Sequence, residues 1–278
     1  MAQHGLPALF TLFLWWFSTG LILYLDGLRR ETFAWTMLGA STLLLVGLFG
    51  LHAVAFDTGA AAAWLGFVCA TLCWAWIEVA FLTGLVTGPN RTALPAGSRG
   101  WARLRAALGA ILWHEIAILV MAAGIIALTW GAPNQVGTWT FLAFWVMRLS
   151  AKLNLYLGVR NLAEAFLPDH LRYLASFFAR RRMNLLFPVS VVAGLVACVL
   201  LALAAAAPGA TPHEKVGFTI LATLVALGLL EHLFMVLPMP ADALWNWGLA
   251  SRRTAPGAKD RAAATAIHVT TPKPVHGG

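Results

Sequence analysis

The chain has 278 residues, of which 60% are apolar and only 11% charged, whereas a soluble domain carries roughly 25% charged residues. So little polar surface cannot cover a globule in water, which excludes an ordinary soluble enzyme and makes the bilayer the natural solvent. The formal net charge of +8 invites nucleic acid as a partner. However, the basic residues fall in short connections between apolar stretches rather than in an aromatic-interleaved patch, so membrane orientation accounts for them and nucleic acid is not expected.

Crossing the hydrocarbon core takes roughly 20 apolar residues per helix. Seven stretches qualify in chain order: about 6–25, 33–55, 60–87, 106–130, 136–157, 185–207 and 216–237. The runs are continuous rather than alternating, and a partial sheet would leave unpaired backbone in lipid. The predicted fold is therefore all-α, a polytopic transmembrane bundle of about seven helices forming one domain over residues 1–247. The first stretch has no Lys or Arg before it and no small-residue cleavage site after it, so no removable signal is expected. The fifth is the least regular, because it contains Arg148 and Lys152.

Between these stretches, two connections combine apolar and basic residues. Residues 97–108 mix Trp101, Leu104 and Leu108 with Arg99, Arg103 and Arg105, and residues 168–182 place Leu171, Leu174, Phe177 and Phe178 near Arg180–Arg182. Both patterns predict short helices lying on an anionic membrane surface. From 248 to 278 the chain turns rich in Ala, Thr, Pro and Gly, and a disordered basic tail is expected. Gly84 and Gly88 form a Gly-x-x-x-Gly in the third stretch, a pointer to close helix contact. Cys69 and Cys73 lie four apart in an apolar run and read as small residues at a helix contact rather than a redox or metal pair.

Counting Lys and Arg sets the orientation. The first, third and fifth connections and the tail hold 16, against one (Lys215) in the other connections and amino terminus, with Arg148 and Lys152 inside a helix. Positive residues stay cytoplasmic, so the amino terminus is expected in the periplasm and the tail in the cytoplasm.

Ionisable side chains inside membrane helices are costly and mark candidate sites. Here they are Glu78 in the third helix, His114 and Glu115 in the fourth, Arg148 and Lys152 in the fifth, and Glu231 and His232 in the seventh. A rise of 1.5 Å per residue puts all seven roughly 7–14 Å inside the cytoplasmic boundary, which predicts one internal polar cluster. Three uses fit it: an ion-pair network that fixes helix packing, ligation of a metal or tetrapyrrole by His114 or His232, or a proton or substrate relay. A di-iron site needs Glu-x-x-His on one helix face. Only adjacent His-Glu and Glu-His pairs occur, diverging by about 100°, so no catalytic residue is assigned and a resident metal is not expected.

Longer segments carry a resemblance. FLWWFSTGLILYLDGL (13–28), WGAPNQVGTWTFLAFWVMRLSAKLNLYLGVRNLAEAFLPDHLRYL (130–174), MNLLFPVS (183–190) and LEHLFMVLP (230–238) resemble the PuhE family of phototrophic bacteria, photosynthetic complex assembly protein 2, from about residue 10 to 247. The resemblance implies a multi-pass protein of the bacterial inner photosynthetic membrane that assists assembly of the reaction centre and core antenna, with a link to bacteriochlorophyll supply. Its implied partners are reaction-centre or antenna subunits and other assembly factors, with anionic lipids met by the basic loops. Bacteriochlorophyll or a precursor is the candidate ligand of His114 or His232. The alternatives are a metal-dependent membrane enzyme of bacteriochlorophyll or carotenoid metabolism, and a transporter or pigment carrier.

Overall fold

A computed structural model describes residues 3–237, 239 and 241–253. Among these are seven long helices: α1 (Gly5–Asp26), α2 (Phe33–Val54), α3 (Ala60–Leu82), α4 (Gly100–Leu128), α5 (Val136–Leu157), α6 (Leu186–Ala205) and α7 (Pro212–Phe234), followed by a short α8 (Ala250–Arg253). The only extended pairing among the described residues is a single bridge between Val159 and Arg180. All of the long helices except α5 are apolar enough, as well as long enough, to cross a membrane. The protein is thus an all-helical, multi-pass membrane protein.

α3 occupies the centre, packing on α1, α2, α4, α5 and α7. Leu51, Cys73, Trp74, Ile77, Ile118 and Phe141 form the core around it. Cys69 and Cys73 are free thiols within that core, as the small-residue reading expects. α2 and α6 flank the bundle with most of their apolar surface open, the exposure expected of helices that face lipid tails. α5 departs from an apolar span for a structural reason. It lies against α3, α4, α6 and α7, and Arg148, Ser150, Lys152 and Asn154 each meet a polar partner there.

The end of the bundle that collects the basic connections, here the basic end, is closed by a layer of irregular backbone. The third stretch stops at Leu82 rather than at 87. Gly84 adopts φ +80°, the left-handed conformation that ends helices cheaply only at glycine. Residues 85–91 then run along α4, with the His114 amide donating to the Thr87 carbonyl at 2.9 Å and the Asn90 amide to the Gly109 carbonyl at 3.0 Å. Gly88 permits this approach, since a Cβ there would fall 2.6 Å from the Ala110 carbonyl carbon. The Gly84/Gly88 pair therefore serves a chain reversal, and the close helix contact it points to is the one Gly88 makes with α4.

Three other expectations change. Residues 100–108 are the first turns of α4, not a separate surface helix. Residues 169–177 form a 3-10 helix tucked beneath the bundle rather than laid on a surface. At three residues per turn, Leu171, Leu174 and Phe177 align on one face and pack with Phe81, Leu82 and Ala110. Finally, 248–253 are ordered against α1, where Arg252 donates to Asp26 Oδ1 at 2.6 Å and to the Ala165 carbonyl at 2.6 Å. The expected disorder of 254–278 lies outside the described residues.

Candidate functional site

The acidic and basic residues of the spans meet inside the bundle, across α3, α4, α5 and α7. Arg148 of α5 donates to Glu78 Oε2 of α3 at 2.9 Å. One turn later on the same face, Lys152 donates to Glu115 Oε1 of α4 at 2.6 Å. Glu231 of α7 accepts from Trp15 Nε1 of α1 at 2.7 Å and stands within electrostatic range of Arg148 and Glu78. Three carboxylates and two cations thus join α1, α3, α4, α5 and α7. Register is the physical consequence, because a one-residue slip of α5 would turn both cations away from their partners and into hydrocarbon.

His232 belongs to a different network. Its neighbour Glu231 points about 100° away around α7, so the imidazole faces α5 and α6 instead. His232 Nε2 lies 2.8 Å from Ser150 Oγ, and Nδ1 lies 2.8 Å from the Gly228 carbonyl. Ser150 Oγ also lies 3.0 Å from Ser190 Oγ. Asn154 reaches Ser190 at 3.2 Å, and Asn184 reaches the Asn154 side chain at 3.0 Å. The Asn184 Oδ1 also accepts the amides of Leu186 and Phe187, at 2.8 and 3.0 Å, and so satisfies the open donors at the start of α6. With both ring nitrogens occupied and 1% of the residue exposed, His232 presents no free lone pair for a ligand.

His114 is placed otherwise. It is completely buried, its ring centroid is 4.3 Å from that of Phe81, and neither ring nitrogen has a hydrogen-bond partner among the described residues. Lys152 and Arg148 are close enough to act on it electrostatically. Glu78 Oε1, Trp145 Nε1 and Arg148 Nε are likewise buried without a protein partner. Polar atoms left unpaired in this way cost about 1–3 kcal/mol each, and they gather where α3, α4 and α5 meet. Among the described residues, no three His, Cys, Asp or Glu side chains assemble into a metal-ligand set. The predicted single cluster is therefore two networks, one ionic and one of hydroxyls, amides and His232, with His114 beside the first. Trp15, Ser150, Asn154, Asn184 and Ser190 were missed in the sequence; Asn184, just ahead of an apolar run, carried a readable capping signal.

A family profile matches residues 1–256. The chain belongs to the DUF3623 family. That family is described as a protein of unknown function, and its profile covers every helix named above. One similar protein, from Rhodobacter capsulatus, is 40% identical over 255 residues, covering 90% of this chain and 93% of that one. It is described as an uncharacterized 30.4 kDa protein in the puhA 5′ region. No solved structure matches this DUF3623 chain.

Proposed function

We propose that this protein is a membrane assembly factor for the photosynthetic reaction centre and its core antenna. It acts in the inner photosynthetic membrane, with its amino terminus in the periplasm and its basic end in the cytoplasm. The observation that carries the reading is the 40% identity, over nine-tenths of the chain, to a protein named for its place beside puhA, a photosynthesis gene region. The resemblance to the PuhE family points the same way. The geometry is compatible with a scaffold: the intramembrane charges pair across helices, and the flanks formed by α2 and α6 leave apolar surface open to neighbours in the bilayer.

The test is deletion of the gene in its phototrophic host, with complementation by a tagged copy. Loss of reaction-centre and core-antenna absorption, with unaltered pigment intermediates, and co-purification of their subunits with the tag support assembly. Normal complexes in the deletion strain overturn it.

One observation favours a second reading, pigment handling. His114 is the candidate ligand that keeps both ring nitrogens free, and it sits on α4, whose spanning window is only 22% buried. Displacement of α4 would open that imidazole to a tetrapyrrole metal. A bacteriochlorophyll-like absorption band in the purified protein that is lost in His114→Ala and kept in His232→Ala would establish it.

A further inference from the structure

The basic end holds another polar site, separate from the ion pairs. A cavity of about 230 Å³ opens between the start of α2, the reversal after α3 and the 3-10 helix of 169–177, with Arg30, Arg91, Thr87, Tyr173 and His170 in its wall. Among the described residues, no Asp or Glu lines it. Neither arginine has an ion-pair partner among the described residues. Thr87 is 1% exposed, and its hydroxyl, like that of Tyr173, is buried without a hydrogen-bond partner among the described residues. The His170 ring is held in the wall by donating through Nε2 to the Leu82 carbonyl at 2.8 Å, and it packs beside Phe33.

The cavity continues into an apolar groove. A second space of about 350 Å³ shares Phe33, Thr83 and Gly84 with the first and adds Ala34, Met37 and Leu85. Phe33 and Met37 are one turn apart, so the groove runs along α2 from the basic end towards the middle of the bundle. Gly84 keeps the junction open, since a Cβ there would lie 3.1 Å from His170 Cδ2. Two guanidinium groups and two hydroxyl donors around one space match the oxygens of a phosphate. An apolar channel leading from it into the membrane matches a hydrocarbon chain.

We propose that this cavity and groove bind one anionic phospholipid, its phosphate held by Arg30 and Arg91 and an acyl chain laid along α2. The charge balance selects against a zwitterionic headgroup, whose ammonium would face two arginines and find no carboxylate among the described residues of the cavity wall. The groove selects against a free soluble phosphate, which would leave the apolar half unused. This inference rests on the geometry and not on the assembly reading.

The test uses the full chain, delipidated in mild detergent, titrated with phosphatidylglycerol, phosphatidylcholine, glycerol 3-phosphate and inorganic phosphate, with binding read by native mass spectrometry and by thermal shift. Phosphatidylglycerol is expected to bind at one-to-one stoichiometry and raise the unfolding temperature, with phosphatidylcholine much weaker. Arg30→Gln with Arg91→Gln should weaken phosphatidylglycerol on the order of tenfold. Both arginines are exposed and have no ion-pair partner among the described residues, so the fold should survive the change. Thr87→Val should weaken it by a smaller factor. Arg172→Gln, whose arginine already pairs with Asp169 at 3.0 Å, should leave binding unchanged. Equal binding of phosphatidylcholine, or unchanged affinity in the double variant, would overturn the site. Saturation by glycerol 3-phosphate or inorganic phosphate at the affinity of the whole lipid would overturn the choice of a lipid.

Discussion

Arg148 and Glu231 differ in what their removal leaves behind. Arg148→Met would strand Glu78, whose side chain is 10% exposed, beside Glu231 with no directly paired cation and only the longer-range charge of Lys152. Breaking a buried pair from one side costs about 3–5 kcal/mol. Arg148 is 41% open, so the lower end, about 3 kcal/mol, is expected. Adding Glu78→Gln should recover most of that loss, because the stranded charge is gone. Glu231→Gln should stay within about 1 kcal/mol of the parent, since a Gln carbonyl still accepts from Trp15 and the excess of carboxylates over cations falls. Unfolding in mixed micelles measures all three variants beside the parent. A loss in Glu231→Gln as large as in Arg148→Met would show that Glu231, not Glu78, is the main partner of the guanidinium. The sequence placed these residues at one depth because rise per residue is fixed. It could not divide Glu231 from His232 between networks, since azimuth depends on which helix lies on each side of α7.

The 3-10 helix of 169–177 shows what is lost when elements are read by apolar spacing alone. Leu171, Leu174 and Phe177 recur every three residues, and spacing of three serves either a surface α-helix face or a 3-10 helix with eclipsed side chains. Packing against Phe81 and Ala110 decides between them, and those partners lie far away in sequence. Burial at this seat pushes the His170 imidazole below its ordinary range, helped by the charges of Arg30 and Arg252, with the Leu82 carbonyl and Asp169 acting the other way. The folded protein therefore resists protonating His170 while the unfolded chain, with an ordinary value near 6.5, does not. The contribution is complete above that pH and declines as pH falls towards the lower folded value. His170→Gln, which can still donate to the Leu82 carbonyl, should lose stability less steeply than the parent between about pH 6.5 and 5. Thermal unfolding of both proteins across that interval checks it, and parallel pH profiles would remove His170 as the cause.

At the scale of the molecule, most of the architecture was legible because a membrane helix is specified by composition over one long window. The predicted stretches for α1, α2, α5 and α6 agree with the observed helices to within two residues at each end. The disagreements lie where local chemistry overrides composition: Gly84 ends α3 early, and the Thr211–Glu214 capping box with Pro212 starts α7 before its apolar run. Orientation is the part that rests on charge alone. The helices alternate in direction, so Arg29, Arg30, Arg91, Arg99, Arg160, Arg172 and Arg180–Arg182 all lie in connections at the basic end, whereas Lys215 opens α7 at the other. Moving that end across a membrane would carry many guanidinium groups through hydrocarbon, at a cost of about 2.5–3.5 kcal/mol each on insertion scales. Single cysteines introduced in place of Cys69, Cys73 and Cys198 decide the matter in intact cells. Cysteine at Arg99 or Arg172, both exposed, should resist a membrane-impermeant maleimide until the membrane is permeabilised. Cysteine at Thr58 or Gly209, both exposed at the opposite end, should react at once. The reverse pattern would place the basic end outside and remove the cytoplasmic leaflet as the source of its anionic lipid.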